Sequence, residues 1–363
     1  MGLGHVARSA RIAAPGAANL NHVNSGLLLI DKAQGWTSHD AVARTRRLAG
    51  TRKVGHAGTL DPMATGLLVL GVNHSTRLLT YVVGLDKEYF ATIRLGSGTS
   101  TDDAEGEEGV QAPAAAVLAI TPEAIAHGMA ALTGAISQRP SSVSAIKVDG
   151  KRAYARVRAG EEVDLPQRPV IVSAFDLLSR TAVDGYLDLE VRVDCGSGTY
   201  IRALARDLGS ALGVGGHLTA LRRTRIGPFR IDDAHILDDV DVAVHLISAT
   251  DAATRLLARL NLTQEEATDL GHGKTITVAA SPVPAPVATA EAAPGDTVTS
   301  PVAPIAAIAP DGRLVGLVEY RGRHVKSILN FPADAPAPAP KSVSTEPAPA
   351  PAAASVTDTT LAP

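Results

Sequence analysis

One cysteine, Cys195, is present among 363 residues. A single thiol excludes an internal disulfide framework and a cysteine-rich zinc site, and it fits a reducing cytoplasm. Aromatic residues make up only 3% of the chain, so any tyrosine in a polar or basic context stands out. No apolar run approaches the roughly 18 residues needed to cross a membrane, and the sequence predicts no membrane anchor. Residues 1–24 hold Arg8 and Arg11 and no acid, without the apolar core of a signal peptide. They read as a disordered alanine-rich extension in preference to an organellar transit peptide. Val6 stands where N-myristoylation requires Ser or Thr.

The net charge of −3 carries no overall nucleic-acid signal, but the distribution does. Val42 to His56 holds Arg44, Arg46, Arg47, Arg52 and Lys53 with no acid. Arg139 to Gly160 and Tyr200 to Arg230 each hold six basic residues and one acid. Acids gather instead at Asp102, Asp103, Glu105, Glu107 and Glu108. Basic stripes are the electrostatic footprint of a polyanionic partner; solvated helix faces are the competing reading.

Hydrophobic residues at 45% and charged residues at 20% allow a globular core, and the length allows about two domains at roughly 150 residues each. Ser25–Lys32 reads as a short buried strand. A helix follows, opened by a capping box of Thr37 and Asp40 and stopped at Gly50. "KEYFATIRLG" alternates as a half-buried strand, and Thr121-Pro122 starts another helix. In "LDLEVRVDC", Leu187, Leu189, Val191, Val193 and Cys195 face one way, which makes Cys195 a core residue. In the helix after it, Ile201, Leu204, Leu208 and Leu212 form the apolar stripe. Arg202 and Arg206 share another face. A cation in the first helical turn opposes the helix dipole, so Arg202 requires an anionic partner elsewhere in the fold.

A second small domain begins near Thr263, with a capping box to Glu266, a glycine stop at Gly271, and short strands at 305–308, 314–320 and 325–329. An Ala/Pro-rich insert at 279–303 and a similar tail at 333–363 cannot bury a core and are expected to be disordered. The division is therefore 1–24 extension, 25–250 first domain, 262–332 second domain with its insert, and 333–363 tail.

The segment "GHAGTLDPMATGLLVLG" places Asp61 before a proline, between a glycine-rich turn and an apolar run. Asp-Pro alone initiates turns. Here Gly55, Gly58 and Gly66 permit close backbone approach, and Leu60 and Leu67–Leu70 bring apolar surface to both sides. A carboxylate against apolar walls must be paired, or it protonates. Arg202 is the candidate partner.

This segment resembles the signature of the TruB family of tRNA pseudouridine synthases. The resemblance continues through "DKAQGWTSHDAV", "KEYFATIRLG", "SAIKVDGKRAYARVRAG", "GTYIRALARDLG" and "LRRTRIGPF", in family order. Ala33 stands where the family usually has proline, and the middle of "QRPSSVSAIK" is less typical. The resemblance implies an α+β pseudouridine synthase fold with a mainly antiparallel mixed sheet and an RNA cleft across one face. A small β-rich domain of PUA type follows.

It also implies an isomerase that converts the uridine at position 55 in the T loop of tRNA to pseudouridine. No cofactor, metal or protein partner is implied, and a cytoplasmic monomer is expected. The sequence contains no phosphate-cradling loop or metal-ligand cluster.

By the same resemblance Asp61 is the essential aspartate, acting at the ribose as nucleophile or base. Arg202 is its ion-pair partner, and Tyr89 stacks on the flipped base and assists proton removal at C5. His56 contacts the RNA loop, and Tyr200 and Leu221 line the nucleotide pocket. Arg222, Arg223 and Arg225 are expected at phosphates. Lys147 and Tyr154 belong to a matched block without an assigned role. From the residues alone, Tyr89 is equally a core residue, Leu221 is simply core, and His56 is a surface histidine near a turn. Three other readings compete: a non-catalytic RNA-binding or RNA-folding protein, a guide-RNA-dependent relative, and a glycoside hydrolase. The last needs paired carboxylates, and no second one is visible near the motif.

Overall fold

A computed structural model describes residues 23–141, 147–148, 151–152, 165–278 and 303–334. Tyr154 and most of the extension, insert and tail lie outside these residues, and for Lys147 only the backbone is described.

The principal elements of the first unit are β1 (Gly26–Lys32), α1 (Ser38–Leu48), β2 (Val54–Ala57), β3 (Thr65–Val72), β4 (Lys87–Leu95), α2 (Pro122–Ala131), β5 (Gly134–Gln138), β6 (Arg168–Val183), β7 (Tyr186–Cys195), α3 (Ile201–Ala211) and β8 (Gly216–Ile226). Their sheet runs β1-β3-β8-β4-β7-β6-β5, with the short strand His235–Ile236 outside β1. The pairs are antiparallel except for β3 with β8 and β1 with His235–Ile236. The sheet is thus mixed and mainly antiparallel, and the fold is α+β, as the sequence implied.

Local chemistry explains the elements. Thr37 and Asp40 form the capping box of α1, and Thr121 caps α2 with Pro122 in its first turn. Lys87, Tyr89, Ala91, Ile93 and Leu95 of β4 are buried on one face. Leu187, Leu189, Val191, Val193 and Cys195 of β7 continue that face, and α2 and α3 cover it. Cys195 is core, and burial pushes its thiol up to about 11.

The second unit comprises α4 (Ala249–Leu256), β9 (Arg259–Asn261), α5 (Gln264–Gly271), β10 (Ile276–Thr277), β11 (Ile305–Ile308), β12 (Leu314–Arg321) and β13 (His324–Asn330). Its sheet order is β9-β11-β12-β13-β10. This sheet shares a core with the first: Leu27, Leu67, Val69 and Leu78 pack in one cluster with Ala252, Leu256, Ile308, Leu317 and Phe331.

Two edges of the folded chain differ from the sequence expectation. Val23 is buried beside Leu28 and Val54, and its carbonyl accepts from Asn73 Nδ2 at 2.6 Å. Asp334 accepts the Ser25 amide at 2.8 Å and its hydroxyl at 2.6 Å. Composition assigned both to disordered extremities, but tertiary partners far along the chain hold them.

Candidate active site

The parallel seam between β3 and β8 organises the site. Arg223 on β8 is the register partner of Gly66 on β3 and of Tyr89 on β4. Gly66 is required there. Its φ is +101°, and a Cβ would stand 2.2 Å from the Arg223 carbonyl oxygen.

The loop that feeds β3 carries Asp61, and both flanks of the loop are fixed. Ser38 Oγ accepts from the Leu60 amide at 2.9 Å and donates to the Leu60 carbonyl at 3.1 Å. The Pro62 carbonyl accepts from the Gly35 amide at 2.8 Å and lies 3.5 Å from Lys32 Nζ. Lys32 Nζ also donates to the Ala33 and Trp36 carbonyls at 3.0 and 2.7 Å. Burial pushes the Lys32 ammonium down to about 8, opposed by the nearby charge of Asp61. The proline position occupied by Ala33 therefore still supplies its carbonyl to this clamp.

Arg202 reaches the loop from the first turn of α3. Its Nη2 lies 3.0 Å from Asp61 Oδ2, and its Nη1 lies 3.1 Å from Asp103 Oδ2 and 3.1 Å from the Thr101 carbonyl. The Asp103 side chain is 2% exposed, and its Oδ1 accepts from Thr101 Oγ1 and the Glu105 amide. Arg202 thus sits between two carboxylates, which offsets its unfavourable place at a helix N-terminus. Only one of them faces outward: the Asp61 side chain keeps 39% of its surface open. Burial raises the Asp61 pKa, Arg202 opposes the rise, and Asp103 adds to it.

The start of α3 is itself held. Tyr200 occupies its cap position without a side-chain cap. Gln138 Oε1 accepts from the Tyr200 amide at 2.8 Å, and Gln138 Nε2 donates to the Tyr200 carbonyl at 3.0 Å. Gln138 lies at the end of β5 and is buried.

Asp61, Tyr89, Tyr200, Arg202, Leu221 and Arg223 border one cavity of about 200 Å³, together with Lys87 and the 197–199 turn. Tyr89 is buried, and burial raises its phenol pKa while the Arg223 guanidinium pulls it down. His56 is absent from the lining. It sits half-buried on β2 with its ring edge against His39, centroids 5.7 Å apart. Burial, then the charge of His39, lowers its pKa. Among the described residues no cluster of three or more His, Cys, Asp or Glu side chains is placed to hold a metal.

Comparison with known proteins decides what this arrangement belongs to. Residues 46–201 match the model of the TruB family pseudouridylate synthase N-terminal domain, and residues 202–267 match the tRNA pseudouridylate synthase B C-terminal domain. The tRNA pseudouridine synthase B of Leifsonia xyli subsp. xyli is 62% identical over 86% of this chain and 98% of its own. That of Paenarthrobacter aurescens is 55% identical over 85% and 95%. The chain belongs to the TruB family. It is an enzyme, a pseudouridine synthase of the isomerase class.

Solved structures share the fold. An H/ACA RNP bound to a substrate RNA containing 2'-deoxyuridine aligns at TM-score 0.59 and 22% identity, over 86% of this chain and 87% of that one. A Cbf5-Nop10-Gar1 complex aligns at 0.58 and 23%, over 84% of each chain.

Within this TruB-family site, several residues lie differently from the sequence reading. Of the arginines expected at phosphates, Arg223 is 1% exposed and donates to the carbonyls of Leu67 and Gly58 at 2.8 and 3.2 Å. Arg222 chelates Asp31 at 2.7 and 3.0 Å, and Arg225 bridges Asp86 and Asp194 at 2.7 Å each. Arg206 likewise meets Asp102 at 3.0 Å. The basic stripe from Tyr200 to Arg230 is therefore largely neutralised within the protein. The acids that stood apart in sequence meet it in space. Asp103, Gln138, Ser38, Lys32 and Lys87 were missed as site residues. The sequence trace of Asp103 was its place in an acidic run, set against the need of Arg202 for an anion.

Proposed function

We propose that this protein converts uridine to pseudouridine in tRNA, and that its target is position 55 in the T loop. The observation that carries the reading is the Asp61–Arg202 ion pair at 3.0 Å, open on one side to a small cavity bordered by Tyr89. At about 200 Å³ the cavity is smaller than a drug-sized pocket and suits one nucleobase rather than a folded loop. A base inside an RNA stem-loop must be flipped out to enter it.

Tyr89 then stacks on the base, with Leu221 and Tyr200 beside it. Asp61 Oδ1 meets the ribose, either attacking C1′ or taking the C2′ proton. Arg202 keeps Asp61 ionised against the effect of burial. The base turns and C5 bonds to C1′ as Asp61 is released from C1′ or returns its proton to C2′, and Tyr89 assists loss of the C5 proton. Arg223 supports the bound base from beneath the cavity. His56, outside the lining, meets the RNA loop and fills space that the base vacates. Composition is unchanged overall, so the reaction balances without a cofactor. The second, sheet-rich unit serves as a PUA-type RNA-binding domain, and the enzyme acts as a cytoplasmic monomer on the T stem-loop.

A hydrolytic role for paired carboxylates is disfavoured by Asp103, whose side chain is buried beneath Arg202 with both oxygens engaged. The test is tritium release from C5-labelled uridine in an unmodified tRNA transcript, with a transcript carrying cytidine at position 55 as control. Release that requires the uridine at 55 supports the full reading. No release by a folded, tRNA-binding protein would leave a non-catalytic RNA binder.

A further inference from the structure

Two buried cations lie at this cavity, and among the described residues neither is in an ion pair. Lys87 is 6% exposed and Arg223 is 1% exposed. Lys87 Nζ donates to the Val83 and Leu85 carbonyls at 3.0 and 2.5 Å, and Arg223 to those of Leu67 and Gly58. Among the described residues no carboxylate lies within 4 Å of either cation. The two converge: a Cβ built on Gly58 would stand 3.5 Å from Arg223 Nη1 and 3.9 Å from Lys87 Cε. They also flank Tyr89. Lys87 precedes it on the same face of β4, and Arg223 is its partner on β8. All three border the cavity.

Carbonyl groups need N–H donors, and neutral side chains supply those. Burying two positive charges side by side is costly. Burial, and then the charge of Arg223, push the Lys87 ammonium down to about 8. A fixed cationic floor in a site shielded from water is the arrangement that stabilises negative charge formed during a reaction.

We propose that Lys87 and Arg223 stabilise the uracil anion released when the glycosidic bond breaks. The inference rests on the isomerase reading above. The C1′–N1 bond breaks and its electron pair leaves with the base, spreading over N1, O2 and O4. C1′ is taken by Asp61 Oδ1, or becomes part of a glycal after Asp61 has removed the C2′ proton. The electron pair returns through C5 to C1′, and as that bond forms either the C1′–Oδ1 bond breaks and frees Asp61, or Asp61 returns its proton to C2′ of the glycal. The C5 proton leaves and N1 gains one, so the product is an isomer. The two cations act on the oxygens of the departing base, while Asp61 and Arg202 act at the sugar.

The test replaces the target uridine by 5-fluorouridine, whose more acidic base leaves more readily. Fluorine blocks only the final proton loss at C5. Cleavage is therefore read as disappearance of N-linked 5-fluorouridine from the digested RNA after a single turnover. Lys87→Met is expected to slow reaction of uridine by about 10²–10³-fold, the usual effect of losing one preorganised donor to a developing anion. On 5-fluorouridine its defect should be at least about tenfold smaller, since less stabilisation is needed. Both rates come from one preparation, so loss of folded enzyme cancels in their ratio. Should Lys87→Met fail to fold, Lys87→Gln keeps a donor without the charge and gives the same comparison. Equal slowing on both substrates would overturn the proposal and leave Lys87 as a donor to loop carbonyls. A folded wild type inactive on both would instead remove the isomerase reading beneath it.

Discussion

Arg202 Nη2 lies 3.0 Å from Asp61 Oδ2 while Nη1 of the same guanidinium lies 3.1 Å from Asp103 Oδ2. One buried cation thus joins an outward carboxylate to an inward one. The inward carboxylate fixes the arginine, and the arginine fixes the carboxylate that faces the cavity. Orientation and ionisation of Asp61 are therefore consequences of a network rather than of a single pair.

Asp61→Asn removes the charge and keeps the shape. Turnover of C5-labelled tRNA should disappear, while tRNA affinity stays within about tenfold, or roughly 1.4 kcal/mol. Filter binding and tritium release on one preparation check both. Loss of affinity and fold together would make Asp61 a structural residue.

Arg202→Met leaves Asp103 buried without its counter-charge. Breaking such a pair costs about 3–5 kcal/mol, measurable as a fall in urea midpoint at neutral pH. The catalytic signature is separate. Arg202 holds the Asp61 pKa down against burial, so its removal lets that pKa rise. The protonated carboxyl is the inactive form. The acidic limb of the rate profile should therefore move to higher pH, and activity should vanish earlier on acidification. An unmoved limb would show that Arg202 does not set the ionisation of Asp61.

Gln138→Ala removes the two side-chain hydrogen bonds from Gln138 to the Tyr200 backbone at the start of α3, while the Tyr200 carbonyl keeps the Leu204 amide at 3.3 Å. Stability should fall by about 1–3 kcal/mol through loss of these two buried bonds. Because α3 carries Arg202, kcat should fall while tRNA affinity is unchanged. A loss of stability with normal kcat would limit Gln138 to a structural role.

RNA affinity should fall steeply with added salt through counter-ion release. The responsible charges are expected at Arg47, Arg52 and Lys53. These side chains are exposed and make no ion pair among the described residues. Replacing all three by Gln should flatten the salt slope by about 0.7–0.9 for each phosphate that the protein then leaves unneutralised. Titrations at several salt concentrations decide this. An unchanged slope would move the phosphate track to another face.

Much of the molecule was legible in the chain because its signals are local. Alternation in β4 and β7, the capping boxes at Thr37 and Thr263, and the apolar stripe of α3 depend only on neighbours along the sequence. The demand of Arg202 for an anion was also readable, since a cation at a helix start is unfavourable by itself. Asp61 followed as a carboxylate between apolar runs that needed a partner. These local requirements, with the order of the motifs, carried the α+β fold, the family and the central aspartate.

Tertiary structure alone decided which charges meet. Asp102 and Asp103 read as part of an acidic run, yet one pairs with Arg206 and the other with Arg202. Arg223 read as a phosphate contact, yet the parallel seam of β3 with β8 buries it against Gly66 and Tyr89. Gln138, Lys87 and Ser38 carry no pattern that distinguishes them from ordinary strand, core and cap residues. Sequence periodicity encodes which face a side chain takes. Coulombic and hydrogen-bond partnership depends on distances of a few ångströms between segments far apart in the chain, and only the folded register sets those.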